Sequence, residues 1–133
     1  MIIWDDSFST GIEIIDQQHK YLFSLSRKLE ILLETPIGVD KKEDAIMLLC
    51  DFRNFVTFHF YFEENYLKDL NSSDFYEHTN EHTLFINKLT DIDITNFSNE
   101  DYNELKTFLN TLYGYILTHI KERDTKLKML IYN

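Results

Sequence analysis

Cysteine, glycine, proline and basic residues are all scarce in this chain, and each scarcity closes off a class of protein. Cys50 is the single cysteine among 133 residues. No intramolecular disulfide can form, which fits a reducing compartment and excludes a disulfide scaffold. Cys50 ends the apolar run Ile46-Met47-Leu48-Leu49, so a buried, inert thiol is expected. Three glycines and one proline are too few turn formers for a many-stranded sheet and favour long helices. Lys and Arg number 13 against 23 Asp and Glu, giving a formal net charge of −10. With no basic cluster, the chain offers no surface for nucleic acid or for an anionic membrane. No stretch approaches the ~18 consecutive apolar residues of a transmembrane helix. The start, Met1-Ile2-Ile3-Trp4-Asp5-Asp6, lacks the basic and apolar regions of a signal peptide. The expected protein is therefore cytoplasmic, and a small acidic chain of this kind is expected to be a monomer.

What the chain has in quantity is apolar and aromatic residues. Hydrophobic residues make up 44%, with eleven Phe and eight Tyr. The length is that of one domain, and residues 1–133 are read as one. Residues 1–15 form an N-terminal arm, in which Gly11 and the Ser7-Phe8-Ser9-Thr10 stretch interrupt any long helix. Asp16 is read as the cap of a first helix over about residues 17–35. Leu22, Leu25, Leu29 and Leu32 recur along it at helical steps. Pro36 and Gly38 end it. A second helix runs over about 41–70, after Asp40 and Glu43. A third covers about 74–89. A loop follows, and Ser98 with Asp101 opens a fourth over about 99–130. Four helices with short connections make an all-α protein, an up-down-up-down antiparallel four-helix bundle. Phe52, Phe55, Phe58, Tyr61, Phe62 and Tyr66 are read as core packing.

The histidines carry the chemistry. There are five: His19, His59, His78, His82 and His119. Glu63 lies four residues after His59, and His82 lies four after His78. Residues four apart share one helix face, one turn above the other. Asp124 lies five after His119. Singly, each such histidine is an ordinary core residue, and each pair a weak signal. Together, every predicted helix carries a possible ligand and no histidine is left over. Side chains from facing helices that meet in a bundle interior are how such bundles build metal sites. Five imidazoles and two carboxylates exceed one tetrahedral zinc and lack the oxygen-rich character of calcium or magnesium sites. They suit two irons bridged by carboxylates. The Glu-x-x-His motif of carboxylate-rich di-iron bundles is absent from the sequence. Neutral imidazoles supply less anionic charge to stabilise highly oxidised iron, which favours reversible dioxygen binding over oxygen activation.

These residues resemble the hemerythrin family, and its small single-domain bacterial members in particular. The resemblance covers the whole chain. It rests on Trp4-x-x-x-Phe8-x-x-Gly11-Ile12, Ile15-Asp16-x-Gln18-His19, His59-Phe60-x-x-Glu63, His78-x-x-x-His82 and His119-x-x-x-x-Asp124. It implies that His78, His82 and His119 bind one iron and that His19 and His59 bind a second, leaving one position open. Glu63 and Asp124 would bridge the two, beside an oxo or hydroxo group. Dioxygen would bind at the open position. Leu22, Phe60, Ile116 and Ile120, neighbours of the ligands along the helices, are candidates for an apolar pocket lining. Catalytic residues are not expected, since no acid or base stands apart from the ligand set. A sensing module, or a weak di-iron oxidase or peroxidase, is the alternative. An unidentified reductase is a further expected partner.

One spacing resists an ideal helix. Residues five apart on an α-helix diverge by roughly 140°. Either Asp124 reaches sideways or the helix widens locally into a π-type turn.

Overall fold

The computed structural model describes residues 1–36, 40–94 and 102–131. Every long element is a helix, and among the described residues there is no strand. A short 3-10 turn, Asp6–Phe8, precedes α1, Glu13–Glu34. α2 is Lys42–Asp69 and α3 is Phe75–Thr90. α4 is Asn103–Tyr115, and it continues through a π-helical segment, Ile116–Arg123, and a 3-10 turn, Asp124–Lys126, into α5, Leu127–Ile131. Ile116, Asp124 and Leu127 all keep right-handed helical dihedrals, so these pieces form one continuous fourth rod. α1 packs on α2, α2 on α3, α3 on α4, and α4 on α1. That closed ring of sequential neighbours is a four-helix bundle. No helix of the described residues is long and apolar enough to cross a membrane.

Each helix buries one stripe. Leu22, Leu25, Leu29 and Leu32 of α1 all face inward, as their spacing requires. They meet Ala45, Leu48, Leu49, Phe52 and Val56 of α2, Phe85 and Leu89 of α3, and Leu105, Phe108 and Leu112 of α4. A second, smaller apolar cluster lies at the other end of the bundle: Ile12, Ile15, Leu67 and Leu127. Between the two clusters, every rod changes character. The interval from Ile15 to Leu22 holds His19, that from Phe60 to Leu67 holds Glu63, and that from Ile120 to Leu127 holds Asp124. The apolar core is thus interrupted by one polar layer at a common height.

Local signals set the ends of the rods. α2 stops where Asn71 takes a left-handed conformation, φ 52°. The Ser72 and Asn71 amides then donate back to the carbonyls of Leu67 and Lys68 at 3.2 and 3.0 Å, a Schellman closure in which Asn replaces the usual Gly. α1 begins earlier than its spacing suggests, because Asp16 is not its cap. Asp16 lies inside the first turn and reaches back to the arm. It accepts hydrogen bonds from Ser9 Oγ, the Thr10 amide and Thr10 Oγ1, each 2.8 Å long. Gly11 adopts φ 78°, the left-handed turn that brings the arm back to this carboxylate. Trp4 and Phe8 complete the arm's attachment by packing against Phe23. Ser98 and Asp101 lie outside the described residues, as does Gly38.

Two apolar expectations are corrected by the same geometry. Cys50 is exposed, one residue and therefore about 100° around α2 from buried Leu49. Phe58 and Tyr61 are also exposed, at 53% and 70%, whereas Phe52 is buried. A run of apolar residues longer than a helical stripe must send some of them outward, and α2 does so along most of its length.

Removing the Asp16 carboxylate leaves the buried Thr10 amide without its acceptor. Asp16→Ala is expected to destabilise the chain by about 2 kcal/mol, the scale of hydrogen bonds to a charged group. Urea unfolding checks this; an unchanged midpoint would mean the arm is held by its aromatic contacts alone.

Candidate metal centre

The polar layer brings together all seven side chains singled out from the sequence. α1 supplies His19, α2 supplies His59 and Glu63, α3 supplies His78 and His82, and the π-helical segment and following turn supply His119 and Asp124. None is more than 3% exposed. His59 and Glu63 share a face of α2 through their four-residue spacing, as do His78 and His82 on α3. The fourth rod solves its five-residue spacing by widening. The Asp124 amide donates to the His119 carbonyl, the i→i+5 bond of a π-helix. Residues five apart then return to nearly the same face, and Asp124 points inward.

The two carboxylates divide the histidines into two groups. Glu63 Oε1 lies 2.7 Å from His78 Nε2 and 3.4 Å from His82 Nε2. Its other oxygen, Oε2, lies 3.1 Å from His59 Nε2 and 3.4 Å from His19 Nε2. Asp124 repeats the division. Its Oδ1 lies 2.8 Å from His78 Nε2 and 3.1 Å from His119 Nε2, while Oδ2 lies 3.3 Å from His19 Nε2. His78, His82 and His119 therefore gather on one side of both carboxylates, and His19 and His59 on the other.

His78 Nε2 and Glu63 Oε1 form a hydrogen bond, but most of the other approaches leave their atoms unsatisfied. Asp124 Oδ1 and Oδ2, Glu63 Oε2, His59 Nε2 and both ring nitrogens of His19 are buried without a hydrogen-bond partner. An unpaired buried polar atom is strongly unfavourable, and here several converge on two points. The donor set is imidazole nitrogen with carboxylate oxygen, which suits a transition metal. The Glu63, His78, His82 and His119 atoms lie within 4.8 Å of one another, and so do those of His19, His59 and Glu63. The residues present therefore fit a metal on each side of the carboxylates.

The electrostatics point the same way. Burial disfavours ionised Glu63 and Asp124, yet the surrounding histidines hold both carboxyls well below their ordinary range. Burial likewise disfavours charge on His19 and His78, but bonds to Asp124 and Glu63 push them up to about 9 and about 10. His82 is also raised against its burial, chiefly by Glu63. His59 goes the other way: burial dominates and lowers it. Two buried anions demand positive charge beside them. Protons on imidazoles can supply it, and so can metal cations.

Three outer contacts had no signal in the spacing. His59 Nδ1 donates to Gln18 Oε1 at 2.6 Å, so Gln18, one residue before His19, serves a different histidine. Glu81 accepts from His119 Nδ1 at 3.0 Å, and Arg123 pairs with Glu81. Neither is marked by spacing along its own helix, because their partners belong to other helices. Phe60 stacks on His82 with ring centroids 3.9 Å apart, and Tyr115 stacks on His119 at 4.6 Å.

A four-helix bundle with a buried histidine and carboxylate layer is the architecture of the hemerythrin proteins. The family model described as "Hemerythrin HHE cation binding domain" matches residues 10–131, and the chain belongs to the hemerythrin family. It is similar to the bacteriohemerythrin of Clostridium acetobutylicum, 30% identical over 93% of this chain and 96% of that protein. The bacteriohemerythrin of Pseudomonas paraeruginosa is 28% identical over 92% of this chain and 76% of its own length. A hemerythrin-like protein of Naegleria gruberi is 28% identical over 94% and 89%. No solved structure matches the chain significantly.

The charge balance gives the metal-free chain a characteristic pH profile. The raised His19 and His78 contribute stability that is complete below their ordinary value of 6.5 and is lost as pH rises through about 9 to 10. The depressed Glu63 and Asp124 contribute stability present above the ordinary 4.5 and 3.8 and lost as pH falls. The lowered His59 takes stability away as pH falls below 6.5, so urea midpoints of the metal-free protein should be highest near pH 6 to 6.5 and decline on both sides. A midpoint that is flat from pH 6 to pH 10 would contradict this assignment.

Proposed function

We propose that the chain is a non-haem di-iron protein that binds dioxygen reversibly and is not an enzyme. The observation that carries this reading is the division of each carboxylate between two histidine groups. His78, His82 and His119, with Glu63 Oε1 and Asp124 Oδ1, would hold one iron. His19 and His59, with Glu63 Oε2 and Asp124 Oδ2, would hold the other. Glu63 and Asp124 would each offer one oxygen to either ion and so bridge the two. The second group has one imidazole fewer, and the position this leaves is where dioxygen would enter.

Iron held by these residues would supply the two electrons that dioxygen takes up on binding and gives back on release. The protein's part is to hold the ions and keep the site dry. The π-helical turn presents Asp124 on the face of His119, so one rod supplies both an imidazole and a bridge. Gln18 accepts from His59 Nδ1 and so keeps the proton there, leaving Nε2 to face the centre. Leu22, Phe60, Ile116 and Ile120 would line the dioxygen pocket. All four are buried in the larger apolar cluster. They carry no proton that could reach bound dioxygen, and they exclude the water that would promote irreversible oxidation. Beyond the ligand set, Glu81 and Glu64 meet the centre only at the outer ring nitrogens of His119 and His82, and Tyr115 meets it by stacking on His119, which supports binding over turnover.

The test is anaerobic loading with ferrous iron, metal counting, exposure to oxygen and removal under vacuum. Two irons per chain and a visible band that appears with oxygen and fades without it are expected. Irreversible oxidation with consumption of a reductant would favour an oxidase or peroxidase, and zinc retained at one ion per chain would overturn the di-iron reading. Glu63→Ala removes a donor from both groups and should sharply reduce iron content; wild-type loading would exclude it as a bridge.

A further inference from the structure

We infer that Glu81 is a positioning residue of the metal centre, and that Arg123 holds it in place while anchoring the π-helical segment that delivers Asp124. The inference rests on the metal-centre reading above and adds residues that lie outside the ligand set.

The geometry at His119 comes first. Its Nε2 faces the three-histidine group, 3.1 Å from His78 Nε2 and 3.1 Å from His82 Nε2. Its Nδ1 points away and donates to Glu81 Oε2 at 3.0 Å. A carboxylate at the outer nitrogen keeps the proton on Nδ1. It leaves a lone pair on Nε2 and sets the ring's orientation toward a cation.

Glu81 needs support to do this. Its side chain is 40% exposed, and an exposed glutamate on a helix surface samples several rotamers. Arg123 removes that freedom. Its Nε pairs with Glu81, its Nη1 with Asp74, and its Nη2 lies 3.6 Å from Glu77. Asp74, Glu77 and Glu81 stand at i, i+3 and i+7, one face of the start of α3. A guanidinium has the planar, multiply donating geometry to hold several carboxylates at once.

The position of Arg123 gives the cluster its second role. Arg123 is the last residue of the π-helical segment and directly precedes Asp124. The segment departs from ordinary α-helical bonding, so an external tie at its end favours it over the α-helical alternative that would turn Asp124 away. One guanidinium thus tethers α3 to the widened turn and steadies the acceptor of His119. The arrangement is one-sided. On the two-histidine group, His59 is held by the neutral amide of Gln18, and His19 Nδ1 has no hydrogen-bond partner.

The test is an anaerobic Co(II) titration of metal-free protein, read by d–d absorption, with melting of the metal-free forms alongside. Wild type and the neighbouring surface variant Glu122→Gln should each bind two Co(II) with the same spectrum. Glu81→Leu should lose about 10- to 100-fold in affinity for one of the two ions and shift the d–d band. Glu81→Gln keeps an acceptor oxygen, so it should recover most of the affinity while still shifting the band. Arg123→Met should lose at least as much at that ion and, through Asp124, weaken the other ion as well; wild-type binding of the second ion would overturn the anchoring role. If Glu81→Leu changes only the melting of the metal-free chain, with wild-type affinity and spectrum, Glu81 is merely structural and the inference fails alone. If wild type itself does not bind two Co(II), the metal-centre reading falls and the inference with it.

Discussion

The burial of two carboxylates at the middle of an apolar bundle is the constraint on which the rest of the structure depends. Glu63 and Asp124 are fully buried, and a buried anion without compensation costs several kcal/mol. Five imidazoles surround them, which is why every rod must carry polar residues at one height. The large apolar cluster on one side and Ile12, Ile15, Leu67 and Leu127 on the other then act as covers. They keep water from the layer and hold the dielectric low, so each contact within it is strong. An apolar core with no such interruption would pack more simply.

The same constraint explains the distortion of the fourth rod. A regular α-helix cannot aim residues 119 and 124 at one point, and the π-helical segment can. The Asp124 amide bonded to the His119 carbonyl places a carboxylate and an imidazole side by side. Distortions of this type are weaker in hydrogen bonding than the α-helix they replace, so they persist where something outside the helix favours them. The ties from Arg123 to Asp74 and Glu81 lie at the end of this segment.

Much of this was legible from residue order. The leucine stripe of the first helix, the four-residue spacings of His59 with Glu63 and His78 with His82, and the strain in a five-residue spacing all have one meaning on a helix. The misreadings have one cause as well. Apolar character says that a residue can be buried, and helical geometry says how many can be. Cys50, Phe58 and Tyr61 lie outside the stripe that α2 can turn inward. Asp16 has the right identity for a cap, but the arm it holds comes from across a glycine turn, a contact the local sequence does not specify.

The sequence by itself determined the helical class, the number of rods and the seven side chains with metal-ligating chemistry, because these follow from periodicity and residue type. Only the tertiary structure decided how those side chains divide. The split of each carboxylate between histidine groups, the pairing of Gln18 with His59 rather than its neighbour His19, and the contact of Glu81 with His119 all join residues of different helices. Such contacts depend on the relative rotation and height of packed rods, and no spacing along one helix contains that information.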